Sequence, residues 1–283
     1  MRVCVFSLLF LPLLAVGAYA DILGTASTFA VLGASEVTNT GATTLGGDLG
    51  VYPSASITGS GTITLSGSVY TPTVGTLDVA KNAQAAASAA YTILENLVVP
   101  VPIDLTGTDL GLLPVLTAGV YKFDKSAQLT GALNLNFTGI DQTFVFQIGT
   151  TLTTASGSSV LVNNLYSGDH VYWQVGSAAT IGTTTSFMGS IIAYDQVAMQ
   201  TGATDGCGNV ISLIAAVTLD NNTISTGCTI STGSTGTPPA GTPIPTITPP
   251  TTTTVVPEPG TWLLLGSIIA VLAAQRKWAR AKV

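Results

Sequence analysis

The sequence predicts a mostly β fold, a parallel β-helix (solenoid) with one long α-helix packed alongside it. Three observations lead to this prediction. Short apolar–polar runs broken by glycine, asparagine and aspartate indicate strands and turns. Similar segments return every 20 to 27 residues, which is typical of a solenoid. One alanine-rich stretch without glycine or proline has helical spacing. We expect one domain at residues 21–230.

The repeats are clearest after residue 143. Residues 144–149 read Phe-Val-Phe-Gln-Ile-Gly and return at 171–176 as Val-Tyr-Trp-Gln-Val-Gly. Each copy is followed by a segment rich in threonine, serine and alanine, at 150–159 and 177–186. Such strands suit β-helix coils, whose rungs lie about 4.8 Å apart, so that six or seven rungs span roughly 30 Å.

The alanine-rich stretch predicts a helix at about residues 76–99. Its apolar stripe consists of Leu77, Ala80, Gln84, Ala87, Tyr91, Leu94 and Val98. Thr76 can cap the start, and Pro100 can end the helix. A helix of this size is roughly 34 Å long, which matches the stack of rungs. We therefore expect it to lie along one side of the solenoid.

The N-terminus resembles a secretory signal peptide. Arg2 precedes a short apolar run, and Ala18-Tyr19-Ala20 forms an A-x-A cleavage site ahead of Asp21. This pattern predicts export, with signal peptidase removing residues 1–20.

The C-terminus predicts a linker and a sorting segment. Residues 231–256 are mostly threonine, proline, glycine and serine, which favours an extended stalk. After Pro257, Glu258 and Pro259 come an apolar run at 261–274 and a basic tail. This order at 257–283 resembles a PEP-CTERM sorting signal with a short transmembrane segment. The resemblance implies processing by an exosortase-type protease in a Gram-negative bacterium, a transient inner-membrane anchor, and a final location at the cell surface or outside the cell. The alternative is an ordinary C-terminal membrane anchor.

Composition excludes several classes of function. The chain is 46% hydrophobic and 8% charged, and the basic residues between 21 and 230 are Lys81, Lys122 and Lys125. Binding to nucleic acid needs a basic surface, so that class is excluded.

Cys207 and Cys228 are 21 residues apart, about one coil, and an oxidising compartment favours a disulfide between neighbouring rungs.

A four-residue pattern, approximately Thr-Gly/Ala-x-Thr/Asn, recurs along the chain. It occurs at 40–43 and 201–204, and looser copies occur at 130–133, 154–157, 181–184 and 219–222. The four copies nearest the C-terminus begin at residues 154, 181, 201 and 219, so they are spaced 27, 20 and 18 residues apart, about one per coil. This spacing predicts that they stack on a single face. The candidate binding residues are Thr130, Thr154, Ser156, Thr183, Thr184, Thr201, Thr204, Asn221 and Thr223.

Several longer segments resemble one known family. They are residues 29–41, 47–51, 117–121, 145–149, 172–176 and 217–224. In this order they resemble the ice-binding-like β-helix family of microbial antifreeze proteins, over nearly all of residues 21–226. Leu133, Gly157 and Ile181 depart from the regular four-residue motif. The resemblance implies a right-handed, discontinuous β-helix beside one long helix, with the N-terminal segment contributing coils to the same stack. We also expect a monomer that needs no cofactor. It also implies that one flat face rich in Thr, Ser, Asn and Ala binds the surface of an ice crystal, giving thermal hysteresis or inhibition of ice recrystallisation.

The physical chemistry of such a face favours ice. Outward residues on a β-helix form a grid of about 4.8 Å by 6.7 Å, close to repeats of the ice lattice. Threonine offers a methyl and a hydroxyl on one stiff side chain. The methyl disfavours bulk-like hydration while the hydroxyl anchors ordered water.

Catalysis is not the favoured interpretation of this sequence. Asp169 and His170 form an acid–histidine pair, but no nucleophile is identifiable, so a turn before a strand is preferred. A β-helix polysaccharide lyase would need clustered carboxylates with a base, and Lys122 and Lys125 sit together in an expected turn. The aspartates at 48, 205 and 220 have turn contexts without calcium-loop spacing, so no metal site is predicted. The remaining alternative is a structural or adhesin-type β-solenoid of the cell surface or matrix, with no affinity for ice.

Overall fold

The computed structural model describes residues 21–73 and 78–228, and this part of the chain forms coils of short strands. The N-terminal coils contain β1 (Phe29–Gly33), β2 (Glu36–Thr40), β3 (Thr43–Gly46), β4 (Asp48–Val51), β5 (Ile57–Thr58), β6 (Ile63–Leu65) and β7 (Val69–Tyr70). The helix α1 (Val79–Glu95) follows. The later coils contain β8 (Ile103–Asp104), β9 (Leu116–Thr117), β10 (Gly119–Phe123), β11 (Ala127–Leu129), β12 (Ala132–Asn136), β13 (Thr143–Ile148), β14 (Leu152–Thr154), β15 (Ser159–Asn163), β16 (His170–Val175), β17 (Ala179–Ile181), β18 (Ser186–Phe187), β19 (Ser190–Ala193), β20 (Val197–Met199), β21 (Thr204–Asp205), β22 (Val210–Ser212), β23 (Ala216–Asp220) and β24 (Thr223–Ser225).

In the described residues, seven coils place one strand in each of three parallel sheets, while β7 adds a strand to sheet A and the segment with β8 and β9 adds to sheets A and C. Within the described residues, sheet A has the order β7-β4-β1-β22-β19-β16-β13-β10-β8, sheet B the order β11-β14-β17-β20-β23-β2-β5, and sheet C the order β6-β3-β24-β21-β18-β15-β12-β9. The predicted mostly β fold with parallel strands is therefore confirmed. Each coil is named below by its first and last strand.

The stacking order differs from the chain order at one place. Strands β22, β23 and β24 pair with β1, β2 and β3, in sheets A, B and C respectively. The last coil of the described chain therefore lies next to the first coil. Five register pairs between β2 and β23 make this one of the longest junctions in sheet B.

The core of the stack is filled by inward side chains from all three sheets. From sheet A, Tyr121, Phe146 and Trp173 point inward in register, and the rings of Phe146 and Trp173 stack with centroids 4.0 Å apart. Trp173 also packs against Phe187 of sheet C, at 5.0 Å between centroids. The repeated segments at 144–149 and 171–176 are thus neighbouring rungs that fill the centre with aromatic rings.

The helix covers the outer surface of sheet A. Buried residues of α1, among them Ala83, Ala87 and Leu94, form a second apolar cluster with residues on the outside of that sheet. The repeated glutamines lie there too, and Gln147 Nε2 donates to the carbonyls of Leu94 (2.7 Å) and Leu97 (2.8 Å). Leu94 lies in the last turn of α1 and Leu97 lies just beyond it, so the glutamine fixes the C-terminal end of α1 to the sheet.

The helix is shorter than the sequence predicts. It has 17 residues rather than the 24 of the predicted range 76–99, and it is about 25 Å long. Asp78 occupies the N-cap position, and Thr76 lies outside the described residues. The helix ends at Glu95 because Asn96 Nδ2 bonds back to the Thr92 carbonyl and the following carbonyls are taken by Gln147. The apolar spacing continues past Glu95, so the prediction placed the C-terminal end of the helix about one turn too far along the chain.

A disulfide joins two neighbouring coils. Cys207 follows β21 and Cys228 follows β24, and the two strands are paired in sheet C. Their Cα atoms are 4.5 Å apart. Among helices in residues 21–73 and 78–228, none is long and apolar enough to cross a membrane. The predicted signal peptide, linker, Pro-Glu-Pro motif and apolar segment 261–274 lie outside the described residues.

Candidate functional site

The recurring Thr-Gly motif is a corner of the solenoid. In each coil the chain turns from sheet B to sheet C at a residue with positive φ. These residues are Gly41, Gly59, Gly131, Gly157, Thr184, Gly202 and Asn221. Glycine is common there because it reaches positive φ without steric cost. The motif therefore repeats once per coil because the corner repeats, and the prediction that its residues share one flat face is wrong.

The corner divides the candidate residues among three environments. Exposed positions at or beside the corner are Thr130, Ser156, Thr183, Thr184, Thr201 and Asn221. Thr204 and Thr223 lie beyond the corner, pointing outward from sheet C in register with each other. Thr154 alone points inward from sheet B.

Thr154 supports the corner from inside. Its side chain is 3% exposed, its hydroxyl lies 3.0 Å from that of Thr185, and it accepts a hydrogen bond from Gly182 N at 2.8 Å. It occupies the inward register position of Leu129. Since a buried side chain cannot contact a flat ligand surface, Thr154 is removed from the candidate site.

Polar side chains hold the corner rigid. Asn222 Nδ2 donates to the carbonyls of Gln200 and Ala203, both at 2.9 Å, and so ties two adjacent coils. Asn222 Oδ1 accepts from Asp220 N at 2.6 Å, and the Thr201 hydroxyl donates to the Asp220 carboxylate. The edge between sheets B and C is therefore fixed by hydrogen bonds across coils.

Sheet B carries an outward column that contains none of the candidate residues predicted from sequence. In stacking order it consists of Gln128, Thr153, Thr180, Ala198, Thr218, Thr38 and Thr58. Register pairs connect every neighbouring pair, and each residue is exposed or half-exposed. The sequence does contain a signal for this column, in triplets of an apolar residue, a threonine and an apolar residue, for example Val217-Thr218-Leu219. Because successive residues of a strand point to opposite faces, the middle residue faces outward when its two neighbours are buried.

The geometry of this column is that of a regular grid. Seven rungs at about 4.8 Å make a column about 29 Å long, and residues two positions away on each strand stand about 6.7 Å to either side. The flanking positions are mainly small or polar, including Ala178, Ala216 and Thr40. Charge is confined to the flanks, where Glu36 accepts a hydrogen bond from Ser56 Oγ at 3.2 Å and Asp220 is held by Thr201.

Sheet C presents a second column with a less even surround. Its outward residues are Ala132, Ser159, Ser186, Thr204, Thr223, Thr44 and Thr64. Strands β18 and β21 are two residues long, and β15 and β18 share one register pair, Ser159 with Ser186. Leu161, next along β15, is 45% exposed. Sheet C therefore narrows at β18 and β21, and the exposed side chain of Leu161 interrupts its surface at β15.

Sheet C also covers a buried carboxyl group. Asp205 is 0% exposed and sits inward between Phe187 and Ile224, and its Oδ2 has no hydrogen-bond partner. Burial raises the pKa of Asp205 to about 8, against smaller opposing contributions from the backbone N–H groups of Cys207 and Gly189. The carboxyl is therefore neutral near pH 7.

The side chains of Asp169 and His170 make contacts that support the fold. The Asp169 carboxylate accepts hydrogen bonds from Gln142 N (2.8 Å) and Tyr166 N (2.9 Å), and so closes two turns. His170 stacks on Tyr172 with ring centroids 5.4 Å apart. In the described part of the chain, no three His, Cys, Asp or Glu side chains are grouped as metal ligands.

Comparison with known proteins identifies the family. A family model described as "Ice-binding-like" matches residues 31–225. An ice-binding protein of Nostoc sp. (strain HG1) is 42% identical over 262 residues, covering 91% of this chain and 87% of the relative. Ice-binding protein 1 of Shewanella frigidimarina (strain NCIMB 400) is 30% identical over 73% of this chain, which spans 26% of that longer protein.

Solved structures agree with this assignment. The crystal structure of an ice-binding protein from an Antarctic biological consortium has a TM-score of 0.64 and 37% identity, over 72% of this chain and 89% of that one. That of the Antarctic ascomycete Antarctomyces psychrotrophicus has a TM-score of 0.64 and 36% identity, over 72% and 97%. The three-sheet solenoid, its covering helix and its sequence thus place the chain in the ice-binding-like family.

Proposed function

We propose that this protein binds ice through the outer face of sheet B, extended by the exposed threonines along the corner with sheet C. The observation that carries the proposal is the unbroken register of the seven-residue column, which contains five threonines and no charge. The relatives named above are ice-binding proteins, and this chain shares their fold and sequence. The expected activities are thermal hysteresis and inhibition of ice recrystallisation.

A rigid threonine grid explains how ice is recognised. Each methyl excludes disordered water, and each hydroxyl holds a water molecule at a spacing close to a repeat of the ice lattice. A single contact of this kind is weak, so binding depends on many positions being fixed together. The covalent and hydrogen-bonded links between coils provide that rigidity, because the pairing of strands sets the spacing of the outward residues.

Sheet B is favoured over the other two sheets. The outer surface of sheet A is covered by α1. Sheet C narrows to two-residue strands, and Leu161 protrudes beside its column. Of the residues first selected from sequence, those at the corner are assigned to the edge of the binding face, while Thr204 and Thr223 are assigned to its neighbouring sheet.

The finer features of the fold and of its cellular context belong to the same proposal. We infer a right-handed, discontinuous β-helix; the pairing of the first coil with the last supports the discontinuity. The domain is proposed to be an exported, monomeric, non-catalytic protein that needs no cofactor. A Pro-Glu-Pro sorting segment at its C-terminus would direct it to the cell surface or outside the cell after processing.

A matched pair of substitutions tests the assignment. Thr218 and Thr223 are both exposed and lie in the same coil, but on sheets B and C. In a nanolitre osmometer, Thr218→Tyr is expected to reduce the freezing-point gap several-fold, as expected for disruption near the centre of an interface, while Thr223→Tyr keeps most of it. Recrystallisation assays should follow the same order.

The control is an unchanged fold, checked by circular dichroism and by thermal unfolding of both variants. Equal losses would assign the site to both sheets. Absence of hysteresis, crystal faceting and recrystallisation inhibition in the folded parent protein would overturn ice binding. It would leave the second candidate function, a surface structural or adhesive β-solenoid.

A further inference from the structure

The C-terminal coil occupies an unusual place in the stack. Strands β22, β23 and β24 lie between coil β19–β21 on one side and coil β1–β3 on the other. The described chain ends at Cys228, three residues after β24. Everything downstream of Cys228 is therefore attached to a coil inside the stack, and tension on the downstream chain acts first on that coil.

The disulfide encloses this coil completely. Cys207 lies before β22 and Cys228 after β24, with a sequence separation of 21 residues. The loop closed by the two sulfur atoms therefore contains the whole of β22, β23 and β24. Tension that enters the backbone at Cys228 has a covalent route through the two sulfur atoms to Cys207. It does not need to pass along residues 208–227.

We propose that the Cys207–Cys228 disulfide is a mechanical bypass, which keeps tension from the C-terminal chain off coil β22–β24. Without the bond, pulling at residue 228 would peel β24, β23 and β22 away in turn, because each parallel strand would be loaded from its end. With the bond, the load enters the adjacent coil at Cys207, and the enclosed coil stays paired on both sides.

Loss of the enclosed coil would divide the proposed binding face. It joins the N-terminal coils to the rest of the stack through β1, β2 and β3. It also contributes Thr218 to the centre of the sheet B column. If it peeled away, the column would be divided between Ala198 and Thr38.

Noncovalent contacts at the exit are few by comparison. Thr226 donates to the Gly46 carbonyl from both N (3.2 Å) and Oγ1 (3.1 Å), and Gly208 N donates to the Ser225 carbonyl at 3.1 Å. Hydrogen bonds of this kind each contribute only about 1 kcal/mol net. Apart from the backbone, the disulfide is the one covalent link between coils in the described part of the chain, and it lies where the described chain ends.

The biological role of the bypass rests on the proposed attachment through the C-terminal region. A protein that holds ice while attached to a cell would be loaded along this path. The mechanical claim itself does not depend on ice binding, because its test contains no ice. Failure of the bypass and failure of ice binding are thus measured separately.

Single-molecule force spectroscopy on the full chain tests the inference, with one handle at each terminus. Oxidised wild-type protein is expected to resist unfolding to a higher force than the Cys207→Ser/Cys228→Ser pair. The serine variant should show an early low-force step that releases coil β22–β24. The oxidised protein should lack that step, and its total extension should be shorter by about 70 Å, the contour of the enclosed residues.

Two further measurements keep the interpretation specific. If the double serine variant does not fold, folded wild-type protein is used instead and its disulfide is reduced with a phosphine under low load. The early step should then appear after reduction. Val197→Ala weakens the core while leaving the disulfide intact, so it should lower the unfolding force without producing the early step. Oxidised and reduced protein with the same force and the same order of steps would overturn the bypass.

Discussion

Sheets B and C have outward columns of similar composition, and coil β22–β24 contributes Thr218 to one and Thr223 to the other. Sheet B keeps three residues in most of its strands, whereas β18 and β21 of sheet C have two each. Sheet B has mainly small neighbours around its column, whereas Leu161 protrudes from sheet C. Threonine content alone therefore does not make a binding face, because strand width and the neighbouring columns determine whether the grid is flat.

What lies beneath the two sheets differs as well. Behind sheet B the inward residues are mostly aliphatic. Thr154 is satisfied by Thr185 and Gly182, whereas Asn39 Oδ1 is buried without a hydrogen-bond partner. Behind sheet C lies the buried carboxyl of Asp205, with one oxygen unpaired. Each sheet therefore covers one unpaired buried oxygen, but that of sheet C belongs to an ionisable carboxyl group with a raised pKa. We expect the stability of the shared core to depend on pH through sheet C.

The largest effect is expected from Trp173→Ala. Trp173 is fully buried, stacks on Phe146, packs on Phe187 behind sheet C, and donates from Nε1 to the Met188 carbonyl at 3.1 Å. Its removal should lower the free energy of unfolding by about 3–5 kcal/mol. Urea denaturation followed by circular dichroism measures this change, and Trp173→Phe, which keeps the ring stack, should lose less. Because all three sheets share this core, unfolding should remain one transition. Two separate transitions would mean that the sheets unfold independently.

A pH-dependent loss of stability is the next expected effect. The pKa of Asp205 is raised to about 8 in the folded protein, and an unfolded aspartate titrates near pH 4. Between these values the folded state holds a proton that the unfolded state has released, so the free energy of unfolding falls as pH rises. The stabilisation is complete below about pH 4 and is lost as pH rises through about 8.

Asp205→Asn provides the measurement for this effect. The amide keeps the size of the side chain but cannot ionise, so urea unfolding at pH 5, 7 and 9 should give a flatter profile than that of the wild-type protein. Asp195→Asn, a half-exposed carboxylate, is the control and should keep the wild-type slope. A variant of Asp205 with the parental slope would contradict the raised pKa.

The sequence was sufficient for the fold but not for the site. Alternation within short segments and a repeat near one coil predicted the parallel strands, and the Ala-rich stripe predicted the helix. The same repeat selected residues at a corner rather than on one sheet, because the most regular motif marks the corner, where positive φ favours glycine at positions such as Gly41 and Gly202. The outward column was hidden because each of its threonines, such as Thr180, sits inside an ordinary strand.

The spacing of the sequence repeats also could not predict the order in which the coils stack. Local patterns predict a coil but not which coils are neighbours, since β1 pairs with β22 across nearly the whole domain. The resemblance to a family, rather than any periodicity, carried the expectation that the N-terminal segment joins the same stack.

The smallest expected effect separates two consecutive residues on one strand of sheet B. Thr153 faces outward in the column, and Thr154 faces the core. Thr154→Val leaves the buried Gly182 N–H without its acceptor and should lower the free energy of unfolding by about 1–3 kcal/mol. Thr153→Tyr should change stability by no more than about 0.5 kcal/mol, since its side chain is exposed. Thermal hysteresis should show the opposite order, with Thr154→Val close to the parent and Thr153→Tyr strongly reduced. A loss of hysteresis in well-folded Thr154→Val would return that residue to the binding site, and the flat face of sheet B would no longer be sufficient to explain the activity.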